Sequence, residues 1–496
     1  MLNRLLSLWH LRKNRFAYAL AHMKEQSGRA DGWRLWSYYR LGMYVSVISH
    51  RPADHSWRSV FARAVSLAAC GHHAEAEQCG REMLLRRDCT QHLSALAAAM
   101  APYLPEFSLE LLEADATAMP LKAALLIRSG RLDSAADYLK KAFANGGPGS
   151  YPELHLHMSN ASREQPSRQL ERLNAYLAAF DVPSLVLKDM DRPPSPANLK
   201  VAEPVADVYG PLVSVLMTTF ETGERADVAI ASVLEQSYRN LELIVVDDAS
   251  RDGTPDVIRS WARRDNRVKF IQLDRNGGTY LAKNIGLGHA SGTFVTCHDS
   301  DDWSHPSKIE RQVKPLLDDE QLIATTSNWI RLQDDGVFFS RQVHPLSRIN
   351  PSSPLFRKDK IRLQAGMWDN VRTGADSEFL ARIRLVFGPA AVHRVVEPLA
   401  FGSHREGSLM TASSTGYSDA GISPQRLAYW EAWSRWHVEN LRAGGKPRLV
   451  EDIMSQATCR PFPAPDAIAL KALDVEAGLN GAQAYRDGLM SPVAVC

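Results

Sequence analysis

"VTCHDSDDWSHP", residues 295–306, runs from an apolar, β-prone stretch straight into three carboxylates within four positions, Asp299, Asp301 and Asp302. An isolated acidic turn of this kind is usually solvated surface. Its surroundings decide otherwise. Working outward, the chain alternates: strand "LVSVLMTT" (212–219), helix near 225–237, strand "LELIVVDD" (241–248), helix near 254–264, strand "VKFIQL" (268–273), helix near 279–290 and strand "TFVTCHD" (293–299). Apolar strands separated by helices predict a largely parallel sheet covered on both faces.

Ligands of such sheets bind beyond the carboxyl ends of the strands, where loops and helix N-termini gather. "VVDDAS" (245–250) and "CHDSDD" (297–302) are therefore expected on one edge, turning about five carboxylates toward one crevice. Crowding like charges is costly unless a cation binds. Hard oxygen ligands suit Mg²⁺ or Mn²⁺, which complete their shells with substrate phosphates and water, so a nucleoside diphosphate is the expected guest.

"PLVSVLMTTFE", "ASVLEQSYRNLELIVVDDASRDGT", "RNGGTYLAKNIGL" and "VTCHDSDDW" occur in an order and at spacings that resemble the family 2 glycosyltransferases of the GT-A fold. The similarity extends through "HPSKIERQV", "GMWDNVRTGADSEFLARI" and "SHREGSL", about residues 210–410. The resemblance implies a GT-A α/β domain and a role for each matching residue. Thr218, Phe220 and Asp248 would contact the uracil of a UDP-linked donor, with Asp247 shaping the loop. Lys283 and Asn284 stand where the family has an Arg-Asn pair near the nucleotide. Asp301 would be the main metal ligand, Asp299 would reach the ribose or the metal shell, and Asp302 would support them. Asp376 would be the base of an inverting transfer. His404 and Arg405 would close onto the metal and the diphosphate.

Three positions depart from the family pattern: Lys283 replaces Arg and loses its bidentate fork, Glu221 stands where Asn is frequent, and Ala375 precedes Asp376 where a Glu is usual. The residues also admit plainer readings. Asp376 would serve as the N-cap of "SEFLARIRLV", Glu378 is either an acceptor-pocket group or a first-turn acid, and Trp303 and Trp368 are either sugar platforms or core.

The rest of the chain narrows the function class. With 496 residues, 45% hydrophobic, 23% charged and a formal charge of +2, it reads as a globular protein of two to four domains. Near-neutral charge and the absence of zinc-finger or aromatic-basic motifs argue against a nucleic-acid partner. Six cysteines at 70, 79, 89, 297, 459 and 496, with no C-x-x-C pair, suit reduced thiols in a cytoplasmic protein. No apolar run reaches a membrane span. The basic, leucine-rich opening "MLNRLLSLWHLRKNRFAYAL" is read as a packed first helix, with peripheral contact at the inner face of the membrane as the sharper alternative. G-x-S-x-G and P-loop signatures are absent.

Residues 1–150 are read as an all-α, tetratricopeptide-like helical-repeat region, punctuated by Gly42, Gly71 and Gly130. Neither "CGHHAEAEQC" (70–79) nor "LHLH" (154–157) is given a metal role: the first has no zinc spacing, and the second sets its histidines on different helix faces without an evident acidic partner. Residues 151–209 hold a helix and a linker with five prolines between 190 and 211, 210–410 the GT-A domain, and 411–496 a helical extension whose Trp430, Trp433 and Trp436 are expected to pack on it. The expected activity is metal-dependent, inverting sugar transfer from a nucleotide-sugar donor to a glycan or lipid-linked glycan acceptor of a bacterial surface polymer, with a protein partner on the repeats. The rival expectation is a non-catalytic nucleotide-sugar-binding scaffold acting through those repeats.

Overall fold

In the computed structural model, residues 2–24, 29–113, 118–405, 410, 412 and 414–490 are described. The predicted alternation folds as β1 (Val213–Thr219), β2 (Leu241–Asp247), β3 (Val268–Gln272) and β4 (Phe294–Asp299). They run parallel in the order β3-β2-β1-β4. Every residue of β2 is buried, which is why its sequence reads as a continuous apolar run rather than an alternation. Beyond β4 the sheet departs from the parallel pattern. β5 (Trp303–Ser304), β6 (Ala324–Leu332), β7 (Leu355–Arg357) and β8 (Val392–Ser403) extend it as β4-β7-β6-β8-β5, with antiparallel pairs everywhere except β6–β8.

Two apolar layers sandwich the sheet. On one face Leu216, Ile244 and Val246 pack with Leu281, Ile285 and Phe379 from the helices Thr279–Gly288 and Ala375–Phe387. On the other, Val213, Val215 and Leu243 meet Ile230, Val233 and Val313 from the helices Arg225–Leu234 and Lys308–Asp318. Trp433 and Trp436 of the helix Pro424–Arg442 join the first layer, while Trp430 packs beside it and its Nε1 donates to the Leu41 carbonyl at 2.9 Å. The tryptophan-rich helix thus packs between the sheet and the N-terminal region.

Among its described residues that N-terminal region is helical, apart from a two-residue parallel pairing of 29–30 with 51–52. Gly42, Gly71 and Gly130 all adopt left-handed φ values of 73°, 87° and 73°, and in each case the next residue's N–H returns to a carbonyl five positions back at 2.9 Å. This is a glycine-terminated helix end that turns the chain into the next helix. Asn14, at φ 53°, makes the same turn one period earlier, with Arg15 N–H returning to His10. Asn tolerates the left-handed region, so this turn lacks the glycine that marks the others. The first helix, Leu2–Arg12, buries His10 and Leu11 and leaves Leu5, Leu8 and Trp9 exposed.

The first part of the proline-rich segment expected to be a linker is built into the core, while residues 202–211 run mostly exposed. Leu185–Leu187 and Leu199–Val201 pair as an antiparallel hairpin, and Leu185, Leu187 and Leu199 pack with Ile330, Leu399 and Phe401. Prolines supply carbonyls but no N–H groups. The buried Asn198 amide compensates by donating to the carbonyls of Asp189, Arg192 and Pro193.

Candidate active site

The chain leaves β1 toward β2 and β3 on one side and returns to β4 on the other, so the crevice above β1 is the topological switch point of the sheet. Register sets the expected residues around it: Thr218 lies opposite Asp299, and Thr219 opposite Asp247. Buried Asp247 accepts from Thr219 Oγ1 at 2.9 Å, Ser250 N at 3.0 Å and Ser250 Oγ at 2.6 Å, closing the loop after β2. Asp248, also buried, accepts the N–H groups of Gly277 and Gly278 at 2.7 Å each. Burial outweighs these two bonds and pushes its carboxyl up to about 6. Thr218 Oγ1 lies 2.7 Å from Thr279 Oγ1 at the start of the next helix.

Beside these groups is a polar cavity of about 740 Å³ whose lining includes Phe220, Glu221, Ser250, Arg251, Asn276 and Arg372. Phe220 is exposed there, so a flat base has an aromatic face to meet. Glu221 and Ala249 hold left-handed φ values of 47° and 64° at the ends of β1 and β2. Asn tolerates that conformation better than Glu, which gives the Glu221 departure a backbone cost.

The acidic cluster divides into three roles. Asp299 accepts Ser352 Oγ at 2.9 and 3.0 Å. Asp301 pairs with Arg405 Nε at 3.0 Å. Asp302 is buried and accepts the Ser403 N–H at 2.9 Å, bracing the turn after β4 against the end of β8. Burial, then the charge of Asp299, raises the carboxyls of Asp301 and Asp302 above their ordinary range. Nearby Lys308 is buried and lowered to about 8. Asp299 and Asp301, partly exposed hard-oxygen donors of like charge, fit a divalent cation; Asp302 is committed to the fold.

Asp376 sits in the first turn of the helix Ala375–Phe387, whose N-cap is Gly374, so the capping role expected of it falls away. Its carboxylate accepts Tyr280 OH at 3.1 Å and pairs through both oxygens with Lys283 Nζ at 3.1 Å. Burial raises the Asp376 carboxyl and Lys283 holds it down, while the charge of Asp299 lies close enough to push it up again. Metal-cluster and base candidates therefore share one electrostatic field.

Several expectations are corrected here. Lys283, expected beside the nucleotide, is 2% exposed and paired with Asp376. Asn284 turns inward and holds the Trp368 and Asn370 segment. Arg405 does stand at the acidic cluster, paired with Asp301. His404 is not gathered with Asp299 and Asp301: its ring stacks on Phe339 at 3.7 Å, and burial lowers it to about 4. Glu378 is wholly buried in a bidentate pair with Arg382 and lies 2.9 Å from His437 Nε2. Trp303 and Trp368 are core, packed on Phe401 and on Phe356 and Phe379. Residues 406–409 of "SHREGSL" and Cys496 lie outside the described residues. Tyr280, Ser352 and Arg372 were not anticipated; only Tyr280 had a local signal, standing three residues before Lys283 on one helix face.

Residues 214–375 match the family described as Glycosyl transferase family 2. This segment is a family 2 glycosyltransferase domain. Among its relatives is a Bacillus subtilis protein assigned to teichuronic acid biosynthesis, the glycosyltransferase TuaG, 33% identical over 136 residues that make up 27% of this chain and 54% of the relative. Another is glycosyltransferase GlyG of Streptococcus pneumoniae, 30% identical over 128 residues, 26% of this chain and 42% of the relative. The chain spans about half the length of the curated relatives it matches. Among solved structures, S. aureus TarS 1-349 in complex with UDP-GlcNAc aligns at 19% identity and TM-score 0.35, over 47% of this chain and 65% of that one. The mannosyltransferase PcManGT from Pyrobaculum calidifontis, in complex with GDP-Man and Mn²⁺, aligns at 18% identity and TM-score 0.32, over 73% and 88%. Among the described residues, no helix is long and apolar enough to cross a membrane.

Proposed function

We propose that this chain transfers a sugar, with inversion and with the help of a divalent cation, from a UDP-linked donor to a hydroxyl of a bacterial surface glycan. The observation that carries the reading is the convergence of Asp376, ordered by Tyr280 and Lys283, with Asp299 at the switch-point crevice. The family and the name of the teichuronic acid relative support the acceptor class.

The residues divide the work. Phe220 and the neighbouring polar cavity receive the nucleotide, and Asp248 keeps the 276–278 loop in place beneath it. Asp299 and Asp301 would hold Mg²⁺ or Mn²⁺, which when bound supplies Lewis-acid neutralisation of the departing diphosphate. Asp376 accepts the proton of the acceptor hydroxyl as that oxygen attacks the anomeric carbon from the face opposite the leaving diphosphate, and the configuration inverts. Lys283 favours the ionised form of Asp376 against its burial, and Tyr280 fixes one carboxylate oxygen, as a base needs an orienting partner.

Calorimetric titration of UDP with and without Mn²⁺ tests the donor site. Metal-dependent binding by the wild type that disappears in Asp301→Ala supports the reading. Absence of UDP binding under every metal condition removes it.

A further inference from the structure

A second group of metal-ligating side chains, separate from the acidic cluster, lies at the seam between the helical region and the transferase sheet. Glu153, at the N-cap of the helix Leu154–Ser162, and His157 one turn later face His344 in the segment between the strands Phe338–Phe339 and Ser347–Ile349. Their ligand atoms all lie within 4.8 Å of one another, the only such trio among the described residues. Glu153 Oε1 is 3.3 Å from His157 Nε2 and 3.2 Å from His344 Nδ1. Neighbouring ligand atoms around a tetrahedral zinc, each at about 2.0–2.1 Å from the ion, stand roughly 3.3–3.4 Å apart. Both separations from Glu153 have that size.

We propose that Glu153, His157 and His344 bind a zinc ion that clasps the helical region to the transferase domain. A hydrogen-bonded cluster alone accounts for His344 and for the Leu346 N–H, which Glu153 Oε1 accepts at 2.6 Å. It accounts less well for His157: its side chain is 1% exposed, and Nε2, 3.3 Å from Glu153 Oε1, makes no well-formed hydrogen bond. An unbonded imidazole nitrogen aimed at a carboxylate and a second imidazole is what a metal satisfies, since all three atoms can offer lone pairs to it. Two imidazoles and one carboxylate match zinc's ligand preference.

Glu153 and His344 also line a cavity of about 340 Å³ with Tyr151, Tyr176 and Phe180, leaving space at the fourth position for water. The clasp has a local logic. The same helix already grips the Phe338–Phe339 strand through Asn160, which donates to the Phe338 carbonyl at 2.7 Å and accepts its N–H at 2.9 Å. "LHLH" (154–157), given no metal role above, supplies one of the three ligands. His157 acts without His155, its partners being the acid four residues earlier and a histidine 187 positions away.

The test uses the full chain, freed of metal with a chelator and titrated with Zn²⁺ in competition with a chromophoric chelator, then with Co²⁺ to read coordination geometry. One Zn²⁺ per chain is expected, retained in Asp301→Ala and weakened at least about 100-fold in His344→Ala and in Glu153→Gln, more than loss of an outer-shell partner costs. Far-UV circular dichroism confirms that the variants keep their fold. The Co²⁺ form should show the intense visible bands of a tetrahedral site. Absence of stoichiometric zinc in the wild type overturns the proposal, as does zinc held equally well by folded His344→Ala and Glu153→Gln, zinc lost in Asp301→Ala, or a Co²⁺ spectrum that is octahedral.

Discussion

Asp248→Asn should change stability in a way that depends on pH, with a predictable sign. The wild-type carboxyl is held at about 6, against an ordinary 3.8, because it is buried. Folding therefore disfavours its ionised form: the protein has the full benefit of a neutral Asp248 below about pH 3.8 and loses it as pH rises through about 6. Well above that point the cost levels off at roughly 3 kcal/mol, about 1.4 kcal/mol for each pH unit of displacement. Asn carries no charge, so it escapes the cost. It keeps one acceptor for the glycine N–H groups, while its NH₂ faces the other, forfeiting a buried hydrogen bond at about 1–3 kcal/mol. The variant should be about 1–3 kcal/mol less stable than wild type near pH 4 and should gain on it by roughly 2–2.5 kcal/mol by about pH 8. Urea unfolding of both proteins across that range measures the difference. A stability gap that does not move with pH would refute the claim that the folded crevice penalises ionised Asp248.

Asp376→Asn should lower kcat by about 10²–10⁴-fold, the size of a general-base contribution, while leaving the calorimetric affinity for UDP within a few-fold; loss of UDP affinity on the same scale would count against the base assignment. Lys283→Met should raise the acid limb of the pH–kcat profile, because Asp376 loses the cation that holds its proton affinity down. An unmoved limb would argue against Lys283 as its positioning residue. Arg382→Met breaks a pair in which both partners are fully buried and strands the carbonyls of Ala365 and Met367, so it should cost about 3–5 kcal/mol in urea unfolding. Adding Glu378→Gln should recover part of that loss. Glu378, lowered to about 2 by Arg382 and His437 against its burial, contributes stability above its ordinary 4.5 that should disappear as pH falls toward 2 in the wild type.

What was legible in the sequence was local. The apolar runs of β1 to β4, the helices between them, the glycine turns at 42, 71 and 130 and the acidic strand ends all follow from periodicity and turn chemistry, which act over a few residues. Parallel order then places Asp247, Asp248 and Asp299 on one edge, because every strand in that stretch points the same way. Partner choice was decided only by tertiary packing. Lys283 meets Asp376 across 93 residues, Glu378 meets His437 across 59, and Glu153 meets His344 across 191, each pair brought together by helix or loop docking that no short window encodes. The same docking turned Trp303 and Trp368 into core, His404 onto Phe339 and the start of a proline-rich segment into the loop of a packed hairpin. A side chain's chemistry is written at its own position, but whether that chemistry faces a substrate, a counter-ion or the core depends on which distant surface buries beside it.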